Sequence, residues 1–230
     1  MAQDEISFTD LIASSIHDMK NSLNLQVSAL EKIALQSRDR GDTTAYADLG
    51  RVIYQANRMN LNLVELLSLY KLGKAIYPLD INTHAVAELI EEAVLQNQAM
   101  LDFKGITVSV DCPDDCYWYL DRELIKGVLV NALNNAYHYT RDKIHIAASQ
   151  QGNLLELRVE DNGPGYPERM LLQGDVASDK PVNFESGSTG LGFYFSDQVA
   201  RLHKQGGRRG ALSIANGGRY GGGCFVLQLP

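Results

Sequence analysis

Four short stretches place polar side chains where a ligand or a transferred group could meet them. In IHDMKNSLN, Ile16 to Asn24, a histidine is followed at once by an acid and, four residues on, by an amide. An imidazole changes charge near neutral pH, so His17 could be a reactive group. In NALNNAYHYT, Asn131 to Thr140, the amides of Asn131 and Asn135 lie four apart and share one helix face. They sit among Val128, Leu129, Leu133 and Ala136, where a buried amide needs a polar partner. In DNGPGYP, Asp161 to Pro167, an acid at a strand end is followed by two glycines, so a ligand edge could meet both carboxylate and backbone. In STGLGFYFS, Ser188 to Ser196, two glycines lead into a helix, whose first N–H groups suit an anion. Each stretch alone has a plainer reading: a surface histidine, satisfied core amides, a turn, a loop before a helix.

These side chains need elements to hold them. Ile12, Ile16, Met19, Leu23, Val27, Leu30 and Ala34 recur at steps of 4, 3, 4, 4, 3 and 4, which predicts a long amphipathic helix. The polar SRDRGD, Ser37 to Asp42, reads as a turn. Leu49, Val52, Ala56, Met59, Leu63, Leu66 and Tyr70 then predict a second helix. Two antiparallel helices with one stripe each cannot bury both flanks alone, and the expected outcome is a homodimeric four-helix bundle. Gly73 and Pro78 end the second helix. The expected organisation is a helical domain over 1–72, a linker over 73–80 and an α+β domain over 81–230. In the latter, helices are expected over about His84–Leu101, Asp121–Tyr139 and Gly192–His203. Strands are expected at ITVSV, CYWYL, KIHIAAS, LLELRVE, ALSIA and CFVLQL, with a hairpin at QQGN.

Composition narrows the classes. The 230 residues carry a net charge of −7, which opposes nucleic acid as the main partner. The basic KQGGRRG, Lys204 to Gly210, reads as a solvated turn. Three sparse cysteines, Cys112, Cys116 and Cys224, fit reduced thiols, and CPDDC has the wrong spacing for a CxxC metal or redox pair. No apolar run reaches the roughly 18–20 residues a membrane helix needs. The acidic start, MAQDEISFTD, lacks a secretion-signal layout, so a cytoplasmic protein with no membrane insertion is expected.

Taken together, the order and spacing are specific. N-x-x-x-N, then D-x-G-x-G some 26 residues after Asn135, then T-G-L-G after a loop, resembles the ATP-binding domain of sensor histidine kinases and the wider GHKL ATPases. GGGCFVLQLP looks like the last strand of that fold, and IHDMKNSL looks like the phosphoacceptor box of the family's dimerisation and phosphotransfer hairpin. The resemblance implies an α+β chain: a helical hairpin forming a dimeric four-helix bundle, then a GHKL-type (Bergerat) α/β sandwich. It implies ATP and Mg²⁺ as cofactors, and a response-regulator receiver domain as partner. Asp161 would accept from the adenine amino group, with Gly163 and Gly165 letting backbone approach the base. Asn135 would ligate Mg²⁺, with Asn131 assisting, and Tyr139 would line the pocket. Thr189, Gly190, Leu191 and Gly192 would sit near the phosphates, and residues 166–188 would form the lid, with Phe184 anchoring it. His17 would be the phosphoacceptor, Asp18 its proton acceptor or orienting group, and Asn21 would orient water for dephosphorylating the regulator.

The sequence departs from the family at three points. His138 stands where Lys or Arg usually contacts phosphate, with Arg141 as a possible substitute. Ser188 replaces the glycine before T-G-L-G, with Gly187 one residue earlier. Ser22 replaces the usual proline after His17. An amide at Asn131 cannot be a general base, which opposes a gyrase-, chaperone- or mismatch-repair-type ATPase, and there is no Walker A motif. Two alternatives remain: a phosphotransfer or scaffold protein of the same fold that does not use ATP, and an anti-sigma-type serine kinase, which the phosphoacceptor hairpin counts against. Sixteen residues precede His17, too few for a sensing domain, so the signal is expected from further chain or from a separate sensor protein in trans.

Overall fold

The computed structural model describes residues 8–171 and 190–230. The chain divides into two compact units, Met1–Tyr77 and Pro78–Pro230. The first is a helical hairpin of α1 (Phe8–Asp39) and α2 (Thr43–Gly73). Gly41 turns the chain at φ 76°, and Asp42 caps α2 by accepting the Ala45 N–H at 2.9 Å. Val27, Ala34 and Ile53 form the buried seam, with Leu30, Tyr46, Leu49 and Ala56 packed on it. Asn60 of α2 donates to Asn24 of α1 at 2.9 Å, a polar rung across the hairpin. One partner helix covers only one flank of each stripe, so Met19, Val52, Met59 and Leu66 stay exposed.

The second unit is an α/β sandwich, as the α+β reading required. β1 (Ile81–Ala85) leads into α3 (Val86–Lys104), followed by β2 (Thr107–Asp111), β3 (Tyr117–Asp121) and α4 (Arg122–Tyr139). β4 (Lys143–Gln150) and β5 (Leu155–Asp161) precede a one-turn α5 (Glu168–Leu171). After α6 (Leu191–Leu202) come β6 (Lys204–Gln205), β7 (Arg208–Arg209), β8 (Ala211–Gly217) and β9 (Gly222–Leu229). The main sheet runs β2-β4-β5-β9-β8, parallel only between β2 and β4. Alternate residues of β4, β5 and β9 (Ile144, Ile146, Leu157, Val159, Phe225, Leu227) are buried on one side, where α4 packs on β5 and α6 on β9.

Two expectations are corrected. Ile81–Ala85 is a strand, not the lead-in to a helix, because it pairs antiparallel with β3 from Ile81↔Asp121 to Ala85↔Tyr117. The helix therefore starts at Val86 rather than near His84, where the Val86 N–H bonds to the Cys116 carbonyl at 2.9 Å. KQGGRRG is the solvated turn expected: residues 204–209 are exposed, and Gly206 and Gly207 turn the chain at positive φ between the two-residue strands β6 and β7. Among the described residues, no helix is long and apolar enough to cross a membrane, and all three cysteines are free thiols.

Candidate functional site

The site is built where β5 ends, α4 ends and α6 begins. Asp161, the last residue of β5, is buried, and its Oδ1 accepts the Gly163 N–H at 2.6 Å and the Gly223 N–H at 3.2 Å. Two backbone donors saturate one oxygen and leave Oδ2 as the acceptor for a ligand N–H. The surrounding backbone is too close for side chains. A Cβ at Gly163 would collide with the Tyr139 carbonyl, and one at Gly222 with the Asp161 carbonyl. At Gly165, φ is 79°, in the left-handed region that favours glycine.

α4 supplies the amides. Its start is fixed by Asp121, whose Oδ1 accepts the Leu124 N–H at 3.1 Å and whose Oδ2 accepts the Asp80 N–H at 3.0 Å. Asn131 is buried and donates to Ser196 Oγ of α6 at 3.0 Å. A Cβ at Gly192 would collide with the Asn131 amide, so the first turn of α6 lies directly on Asn131. Asn135, one turn later, is half-buried and forms no side-chain hydrogen bond among the described residues, so its amide oxygen can serve a ligand or cation. His138 and Tyr139 are exposed in the last turn, their rings edge to face at 4.7 Å. Gly190 caps α6 at φ 64°, and Leu191 and Gly192 begin the helix. Thr189, Ser188 and Phe184 lie outside the described residues. Asp161, Gly163, Tyr139, Asn131 and Gly192 are thus brought into one region.

Two asparagines that sequence reasoning passed over hold this region together. Asn162 Oδ1 accepts from Thr140 Oγ1 at 2.8 Å and from the Arg141, Asp142 and Lys143 amides at 3.1, 3.2 and 3.2 Å. It ties the end of α4 to the loop after Asp161, which is why Tyr139 lies beside Gly163. Asn216 of β8 pairs with both backbone groups of Tyr166. Neither carries a sequence signal beyond an asparagine in a turn-like context. Asp161's neighbour Glu160 points to the other side of β5. Burial opposes its ionisation, but the Arg219 N–H and the Arg158 guanidinium hold it below the usual carboxylate value.

In the helical unit His17 is exposed, with 69% of its side chain accessible. Its Nδ1 lies 3.3 Å from the Asn21 amide nitrogen and 3.7 Å from Asp18 Oδ1. Both neighbours sit at Nδ1, which leaves Nε2 as the nitrogen open to an incoming group. A proton on Nδ1, beside the Asp18 carboxylate, leaves the lone pair on Nε2, and it requires the Asn21 amide to turn its oxygen to the ring, since an amide nitrogen only donates. Among the described residues there is no cluster of three His, Cys, Asp or Glu side chains able to hold a metal alone. An Mg²⁺ ion fits a different donor set: one amide oxygen, waters and ligand phosphates.

The chain is similar to known proteins in sequence and in fold. Residues 120–230 match the family described as "Histidine kinase-, DNA gyrase B-, and HSP90-like ATPase". The sensor-like histidine kinase SenX3 of Mycobacterium tuberculosis is 25% identical over 235 residues, covering 100% of this chain and 55% of SenX3. The adaptive-response sensory kinase SasA of Gloeothece citriformis is 27% identical over 241 residues, covering 99% of this chain and 59% of SasA. The chain thus spans little more than half the length of these relatives. Among solved structures, the catalytic domain of histidine kinase ThkA superposes with a TM-score of 0.56 at 23% identity, over 66% of this chain and 95% of that one. Acinetobacter baumannii histidine kinase AdeS gives 0.56 at 17% identity, over 88% and 94%. At these identities the structural likeness shows a shared fold.

Proposed function

We propose, from the match of residues 120–230 to the histidine kinase-, DNA gyrase B- and HSP90-like ATPases, that this chain belongs to that family and is an ATP-dependent protein-histidine kinase core. The carrying observation is Asp161: a buried carboxylate with Oδ1 saturated by two glycine amides and Oδ2 open to an amino group. That arrangement suits the adenine amino group, with Gly163 and Gly165 leaving room for the base. The start of α6 at Gly190–Gly192 receives the phosphates, and Thr189 is assigned with it. Asn135 would hold Mg²⁺ through its amide oxygen, and the ion would supply positive charge against the phosphates. Asn131 holds α6 in place for that contact. His138 and Tyr139 border the pocket.

The reaction is in-line phosphoryl transfer. Nε2 of His17 forms the N–P bond as the bond from the γ-phosphorus to the ADP oxygen breaks. Asp18 takes the proton from Nδ1 or stabilises the imidazolium, which keeps charge in balance. The phosphohistidine then passes its group to an aspartate of a response-regulator receiver domain. Asn21 orients water for the reverse, regulator dephosphorylation. The chain works as a cytoplasmic homodimer, with a separate sensor protein as a further partner.

The test is incubation with γ-labelled ATP and Mg²⁺. We expect acid-labile, base-stable label on the wild type and none on His17→Gln. Unlabelled wild type that still binds ATP refutes His17 as phosphoacceptor. A failure to bind at roughly millimolar nucleotide, the upper end of ordinary KM values, favours the scaffold reading, which His138 in the place of a cation supports.

A further inference from the structure

We infer that Asn216 is a positioning residue for the base end of the nucleotide site, an inference that rests on the reading of Asp161 given above. Asn216 is exposed on β8, 50 residues from the loop it serves. Its Oδ1 accepts the Tyr166 N–H at 2.6 Å, and its Nδ2 donates to the Tyr166 carbonyl at 2.9 Å. One side chain thereby pairs both backbone groups of one residue, as a neighbouring strand would. The approach is close enough to dictate the sequence of the loop: a Cβ on Gly165 would stand 2.6 Å from Asn216 Oδ1.

The contact reaches the acceptor through the Tyr166 ring. A Cβ at Gly223 would stand 2.8 Å from Asp161 Oδ2 and 3.2 Å from Tyr166 Cε2, so carboxylate and ring flank the same backbone atom. The ring also meets Phe193 of α6 with centroids 6.0 Å apart. Burial first, then the neighbouring Asp161 carboxylate, push the Tyr166 phenol well above its ordinary value, as expected of a ring packed into the acceptor's surroundings. Asn216 fixes the backbone of Tyr166, and Tyr166 forms the wall beside Oδ2. Because Asn216 lies outside the core, nothing about packing requires an amide there, and its value to the protein is the loop it holds.

The experiment uses the full chain with Asn216→Ala and Asn216→Asp. Asp keeps an acceptor for the Tyr166 N–H but sets an oxygen against the Tyr166 carbonyl, so both variants are expected to behave alike. The Kd for ATP should rise about tenfold, because a loop no longer pinned by the pair is in its binding position for only about a tenth of the time. The melting temperature and the maximal labelling rate at saturating ATP should stay at the wild-type level, since neither His17 nor the phosphate end is touched. Wild-type ATP affinity in both variants overturns the positioning role. So does weakened affinity accompanied by a lower melting temperature or a lower maximal rate, which marks a general structural role. If the wild type itself does not bind ATP, the nucleotide reading fails, and that outcome is visible without any variant.

Discussion

His17 and Asp161 do opposite things with solvent. The histidine is exposed and has two polar neighbours on its own helix, Asp18 and Asn21, both at Nδ1. The aspartate is buried and gains its single open oxygen from backbone amides 2 and 62 residues away. Separate substitutions should therefore separate the steps. Asn21→Ala is expected to keep autophosphorylation, because Asp18 still faces Nδ1, and to lose regulator dephosphorylation. Unchanged release of phosphate from a phosphorylated receiver domain would refute the role given to Asn21. Asp161→Asn retains an oxygen for the Gly163 and Gly223 amides, so the fold should stand. It also places an NH₂ where an adenine NH₂ would donate, and ATP affinity should fall by about 1–3 kcal/mol, measured by calorimetry. Both residues were legible in the sequence because their partners are fixed by local spacing or by a strand-end motif. Asn162 and Asn216 were not, because an asparagine in a turn is common. Their partners, Thr140 and Tyr166, lie 22 and 50 residues away and are chosen by the fold.

At the scale of elements, the long helices were legible from period alone, and β4 and β5 were legible as two strands joined at QQGN. β1 was not. INTHA mixes polar and small residues, and it is a strand only because β3 offers its edge. Local preference lost to tertiary pairing there. The helical stripe also hid Glu65 of α2, which is 1% exposed and whose Oε1 has no hydrogen-bond partner among the described residues. Burial pushes its carboxyl up to about 8 from an ordinary 4.5. The sign follows: between those two values the unfolded chain is ionised at Glu65 while the folded chain still holds the proton. Folding therefore loses stability as pH rises from about 4.5 to about 8. Glu65→Gln should remove that slope and raise stability near pH 8 by a few kcal/mol, on the order expected for a buried carboxyl. Denaturant melts of both proteins at several pH values would check it. Parallel pH profiles would show that Glu65 is not the group responsible. Asp121→Ala should cost about 2 kcal/mol of stability, since it removes an N-cap that also holds the Asp80 N–H.

For the whole molecule, the hairpin's uncovered flank has a regular form. Val52, Met59 and Leu66 are exposed on α2 and spaced by 7, the repeat that packs one helix seam against another. Leu11, Met19, Leu25 and Ile33 add exposed apolar surface on α1. A row of this kind on a hairpin whose own seam is already filled is what a second copy would cover in the proposed four-helix bundle. Light scattering should then report twice the 25.4 kDa chain mass. Met59→Glu carries the sharper form of the prediction. A two-fold interface would bring the new carboxylate of each copy into the same apolar seam, where each must be desolvated without a cation. The variant should run as a monomer of one chain mass. Met59 belongs to the first compact unit and the nucleotide residues to the second, so ATP affinity should be retained. A wild type that is monomeric at all concentrations would sink the bundle, and a Met59→Glu protein that stays dimeric would move the interface away from the 52–59–66 row.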